Sequence, residues 1–253
     1  MMESEWLACT NPILMLEYLR GKASDRKLRL FGLACCRRIP GPFFDVAALA
    51  VLLTAERFAD GTATRKGLSA AIRRAMDAEE ERIGGAVQTT HWWQPISAAL
   101  GSSETVRWLA ESVVQRVHAL NNDRKAVIRA AAGDELRAAR ESWAKAEAAA
   151  NKERITQCHL LRDIVPYQAT KCDTNLLTSE VATLARVAYE ERALPSGELD
   201  TARLAVLADA LEEAGCTDAD ILTHLRGPGP HVRGCWVLDL LLGKDDINHP
   251  TPS

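Results

Sequence analysis

Apolar side chains recur at three- and four-residue intervals along most of this chain, and Gly, Pro, Asn and Asp interrupt the runs where helices stop. Asn11-Pro12 places a capping side chain before a proline at a first helical position, and Ile13, Leu16 and Leu19 follow at helical spacing up to Gly21. Ser24-Asp25 opens a second helix, with Leu28, Phe31, Cys35 and Ile39 as its stripe and Pro40-Gly41-Pro42 as its end. The runs 45–59 and 64–83 read as a largely buried helix and a more exposed one, closed by Asp60-Gly61 and Gly84-Gly85. Together these four elements predict a compact bundle.

Thr89 to Pro95, with Trp92 and Trp93, breaks the period and predicts a loop, because Pro95 disfavours the α conformation of its predecessor. Ser102 or Ser103 then caps a helix carrying Val106, Leu109, Val113 and Val117, which ends at Asn121-Asn122-Asp123. From Asp123 to Ile164 the chain is Ala-rich and charged. Leu136, Trp143 and Ala150 stand seven apart, with Ala139 and Ala146 between them, so a narrow seam on a long helix or helical pair is expected. Residues 165–178 lack a period and read as a linker. After them, helices are expected at 179–192, 198–214, 218–226 and 231–242, separated by Pro195-Ser196-Gly197, Gly215 and Gly227-Pro228-Gly229-Pro230. The expected organisation is all-α: an N-terminal bundle with Ala-rich central helices over 1–164 and a smaller C-terminal helical subdomain over 179–244.

Composition sharpens that picture. Hydrophobic residues make up 47% of the 253 positions but aromatics only 5%, a balance weighted towards Ala and Leu and so towards helix. Lys and Arg number 31 against 34 Asp and Glu, so the net charge of −3 provides no global attraction to nucleic acid or to an anionic membrane. The charge is uneven, however. Residues 1–40 carry seven Lys/Arg and four Asp/Glu, a net of +3, whereas residues 178–226 carry four and ten, a net of −6. That asymmetry suggests docking of the two ends on each other or on a charged partner. The longest apolar stretch, Val46 to Ala55, is about half of the roughly 20 residues a bilayer span requires, so no membrane anchor is expected. Acidic residues near the N-terminus and seven cysteines, an odd number, point to a cytoplasmic chain with reduced thiols.

Three candidate chemistries stand out. A glycine-rich turn that feeds a helix can hold an anion on its amides, so Arg226, Gly229, His231 and Arg233 form a candidate ligand site. Asp220 and His224, four apart, add a candidate acid–base pair to it. The competing reading of this turn is a tight helix–helix corner with Trp236 in the core. A zinc site built from Cys216, His224, His231 and Cys235 lacks closely paired ligands, so these thiols read as buried, and neither metal nor cofactor is expected. Lastly, Arg26, Arg29, Arg37 and Arg38 lie on the basic second helix and are the candidate contacts to nucleic-acid phosphates.

Two blocks resemble an uncharacterised bacterial protein family. One comprises Glu5–Thr10, Met15–Arg20, Lys22–Phe31 and Ala34–Arg38; the other runs through Leu207–Cys216, Arg226–Trp236 and Asp239–Lys244. The chain departs from the family's pattern at Val165–Gln168, where a segment like Asn-Pro-Phe-Arg-Pro is expected. The resemblance implies no particular activity. Ala208–Gly215 is similar to a short element found beside repeat modules in bacterial proteins. With no complete catalytic motif in the chain, the functional expectation is an interaction or regulatory scaffold with a protein partner or self-association.

Overall fold

The computed structural model describes residues 1–38, 46–83, 103–121, 136–168 and 174–244. Among them are eleven α-helices: α1 Glu3–Ala8, α2 Pro12–Tyr18, α3 Asp25–Cys36, α4 Val46–Ala59, α5 Arg65–Ile83, α6 Ser103–Asn121, α7 Leu136–Ile164, α8 Ser179–Glu190, α9 Thr201–Glu213, α10 Ala219–Arg226 and α11 Trp236–Leu241. The extended structure among the described residues is limited to two isolated antiparallel bridges, Arg192 with Leu199 and Glu198 with Val232. The expected loop at Thr89–Pro95 and positions 169–173 of the expected linker lie outside the described residues.

Local chemistry sets the helix starts. Asn11 Oδ1 accepts from the Ile13 amide at 3.0 Å, with Pro12 at the first helical position. Ser24, Thr178, Asp200 and Asp218 cap α3, α8, α9 and α10 in the same way, each offering a side-chain oxygen to an amide of the first turn that has no partner within the helix.

The expected helix 231–242 is shorter in the structure. It begins only at Trp236, because Val232 and Leu199 are drawn into backbone contacts with the chain around 198 and 231, and Gly234 takes φ +95°. A β-carbon at Gly234 would stand 2.8 Å from Leu30 Cδ1, so this turn lies directly on α3.

Two hydrophobic cores result. Helices α1 to α7 enclose the first, and α6 and α7 pack along each other more extensively than any other described pair. Helices α8 to α11 enclose the second, around Tyr189, Leu204, Leu207, Leu211, Leu225 and Leu238. Val232 crosses over: its side chain belongs to the first core although its chain neighbours Cys235 and Trp236 belong to the second. The six described cysteines are free thiols, and no described helix is long and apolar enough to cross a membrane.

Candidate functional site

Asp163 occupies the last turn of the long helix α7, where the helix dipole disfavours a negative charge, and it is only 3% exposed. What keeps it there is a set of donors from the C-terminal subdomain. His231 Nδ1 lies 2.8 Å from Asp163 Oδ1, His224 Nε2 lies 3.1 Å from the same oxygen, and the Val232 amide donates to Oδ2 at 2.8 Å. Cys235 completes the group, with Sγ 3.2 Å from His224 Nε2.

The proton positions follow from these contacts. Trp236 Nε1–H points at His224 Nδ1 from 3.1 Å, so Nδ1 must accept and the ring proton sits on Nε2, facing Asp163 and Cys235. His231 faces two acceptors, Asp163 through Nδ1 and the Gly227 carbonyl through Nε2 at 3.2 Å, so it donates from both as an imidazolium. Burial works against that charge, but the hydrogen bond and charge of Asp163 outweigh it and raise the His231 pKa. Burial likewise works against ionised Asp163, and the hydrogen bonds from both histidines hold its carboxyl below the usual range. Burial, joined by the charge of Asp163, pushes the Cys235 thiol well up.

By residue type this is a Cys-His-Asp constellation, but it is not arranged as a nucleophilic relay. In a relay the imidazole uses one nitrogen for the thiol and the other for the carboxylate. Here both address Nε2, and Cys235 is 0% exposed. The arrangement can instead bind: one carboxylate oxygen, two imidazole nitrogens and one sulfur, all within 4.8 Å of one another, are metal-ligand types.

The candidate residues from the sequence divide sharply. His224 and His231 converge, but Asp220 does not join them. It is exposed at the start of α10, and the carboxylate that meets His224 is Asp163, 61 positions away. Cys216 is buried in the second core and outside the cluster, so Asp163 takes the place considered for it. Gly229 has φ +80° and bends the chain so that His231 returns to Asp163; a β-carbon there would lie 2.7 Å from the His231 amide nitrogen.

Both candidate anion-binding arginines have carboxylate partners, Arg226 at the surface and Arg233 in the interior. Arg226 pairs with Asp209 at 2.6 Å and with Glu212, while Arg233 donates Nε to Asp60 at 2.7 Å and forks onto Glu190 at 3.1 and 3.2 Å. The cavity beside Arg233, bounded by Arg37, Glu56 and Val232, measures about 10 Å³, the size of one water molecule.

The candidate phosphate contacts lie on helix α3 and beside its end. The helix is buried on nearly every side, with Arg26 only 1% exposed. Arg26 donates Nε to Asp60 at 2.9 Å, forks onto Asp239 at 2.6 and 2.9 Å, and meets Tyr189 Oη at 2.8 Å. Lys27 also reaches Asp239, at 2.6 Å. Arg37 is held by Glu56 at 2.9 Å and the Pro195 carbonyl at 2.6 Å, and Arg38 forks onto Glu153 at 3.0 Å. Arg29 is half-buried and lies 3.5 Å from Asp25. These cations are spent within the molecule, chiefly in a buried seam between the two cores. The acidic partners of Arg26, Lys27 and Arg37 there are Asp60, Asp239 and Glu56, which lie outside the acidic stretch 178–226; that stretch contributes Glu190, against Arg233.

Asp60, Asp163 and Asp239 escaped the sequence reading. A signal was present for two of them: Asp163 follows Leu160 and Leu161 and precedes Ile164, and Asp239 sits inside Trp236–Leu242, each a lone carboxylate in an apolar run.

The fold and the cluster therefore define an all-α protein of two packed helical cores, with a buried Asp-His-His-Cys group where the long helix meets the C-terminal subdomain. Compared with protein-family models, curated proteins and solved structures, the chain finds no match.

Proposed function

We propose that this protein is an interaction scaffold whose partner is another protein. The observation that carries the reading is the pair Trp108 and Trp143, each 56% exposed, on the two helices α6 and α7 that pack along each other. Tryptophan is costly to leave in water and is enriched among the residues that dominate protein interfaces. Ile155 of α7, 41% exposed, adds apolar surface to the same helix pair.

The seam expected at Leu136, Trp143 and Ala150 needs redrawing on this basis. Ala146 and Ala150 are buried, whereas Trp143 faces outward with its ring edge-on to His118 at 4.8 Å. The partner surface is thus centred on the tryptophans and not on the small residues. The buried arginine seam supports the same reading, since it commits Arg26, Arg37 and Arg233 to internal carboxylates.

The test is native purification followed by intact-assembly mass spectrometry, on wild type and on Trp108→Ala with Trp143→Ala. A stoichiometric protein partner, or a second copy, that is lost in the double variant while helical circular dichroism is retained is the expected result. Identical assemblies from both chains would refute the reading.

A further inference from the structure

We infer that Asp163, His224, His231 and Cys235 form a closed, four-ligand site for a divalent transition-metal ion of the zinc class, clasping the end of α7 to the C-terminal subdomain. The four ligand atoms come from α7, α10 and the turn before α11, yet lie within 4.8 Å of one another. In a tetrahedral zinc site with bonds of about 2.0–2.3 Å, neighbouring ligand atoms stand roughly 3.3–3.6 Å apart. The close pairs here stand 2.8, 3.1 and 3.2 Å apart and the rest lie within 4.8 Å, so an ion is admitted by moving the close pairs outward by a few tenths of an ångström and drawing the wider ones together.

Imidazole and thiolate ligands select zinc, cobalt and their neighbours over magnesium and calcium, which take oxygen ligands. One carboxylate and one thiolate also neutralise a dication, which a buried site requires. On loading, the ion takes the place of the protons on His231 Nδ1 and Cys235 Sγ, which leave to solvent, while the single ring proton of His224 passes from Nε2 to Nδ1.

His231 Nε2 already donates to the Gly227 carbonyl and the Val232 amide already holds Asp163 Oδ2, so both ligands are oriented from behind while the other atom stays free to bind. Four protein ligands, with Asp163, His231 and Cys235 at most 4% exposed, leave no open position for substrate. The centre is structural rather than catalytic.

One contact opposes loading. A neutral histidine bound through Nε2 carries its proton on Nδ1, and at His224 that proton would confront Trp236 Nε1–H across 3.1 Å. Loading therefore breaks the Trp236–His224 hydrogen bond, and removing that N–H should favour the ion.

The full chain, stripped with a chelator, is titrated with cobalt(II) chloride and then with zinc sulfate. The expected result is one cobalt per chain with strong tetrahedral visible bands and a near-ultraviolet thiolate-to-cobalt band, all discharged by zinc. Cys235→Ser should abolish the thiolate band, and His231→Ala should weaken zinc binding by more than about 100-fold. Trp236→Phe, which keeps the ring and removes the N–H, should tighten zinc on the order of ten-fold. Should the ligand variants fail to fold, the wild-type cobalt spectrum and the Trp236→Phe affinity decide. A pale spectrum without the thiolate band overturns the site, as does zinc binding that weakens in Trp236→Phe, because His224 would then not be a ligand.

Discussion

Asp60 is the residue on which the buried seam turns. It ends α4 and accepts from Arg26, Arg233 and Tyr189, with no exposed side-chain surface. Burial alone would raise its pKa, but the charges of Arg233 and Arg26 outweigh that and hold it below the ordinary 3.8. A carboxylate with a depressed folded pKa contributes stability that is complete above its unfolded pKa of about 3.9 and is lost as pH falls through the folded value. Asp60→Asn leaves two buried guanidinium groups facing a neutral amide, and should cost about 3–5 kcal/mol at neutral pH. In urea unfolding followed over pH, the gap between wild type and Asp60→Asn should be constant above about pH 4 and narrow below it. A gap that widens on acidification would contradict this account.

At the scale of the element, α10 is the piece whose placement matters most to the cluster. It has only eight residues, too few to be stable alone, so its cap and its packing have to supply what length does not. Asp218 accepts from the amides of both Asp220 and Ile221, at 2.9 and 3.1 Å. Ile221, Leu222 and Leu225 then bury one face in the second core, which turns His224 towards α7. Asp218→Ala should therefore lower stability by about 1 kcal/mol, with Asp218→Ser recovering most of it, as read from thermal unfolding. Much at this level was legible in the chain: the Asn11-Pro12, Ser24 and Asp218 starts fall where capping chemistry puts them. The helix expected from His231 was not, because Val232 and Leu199 take part in pairings that no local pattern announces.

Across the whole molecule, a buried seam of charge spans the two cores. Arg26, Lys27 and Arg37 of the N-terminal part reach Asp239 and the Pro195 carbonyl, and Arg233 reaches back to Asp60. Removing one partner from such a seam strands the others without water. Arg26→Met should consequently loosen the C-terminal subdomain before the bundle: amide exchange in α8 to α11 is expected to quicken more than in α6 and α7. Equal acceleration throughout would mean that the two cores open as one cooperative unit.

The chain by itself determined the all-α class and the approximate extent of most described helices, because periodicity and capping are properties of neighbours in sequence. It also raised His224, His231 and Cys235, together with Cys216, as zinc-ligand types, but their spacing argued against a metal site. Only the tertiary structure decided what they face. Asp163 stands 61 positions from His224 and 68 from His231, and a carboxylate in the last turn of a helix acquires its partners solely through packing. The same holds for Arg26: its charge is plain in the sequence, and only the fold, by closing α4, α8 and α11 around it, turned a cation that would suit a phosphate into the buried link between two cores.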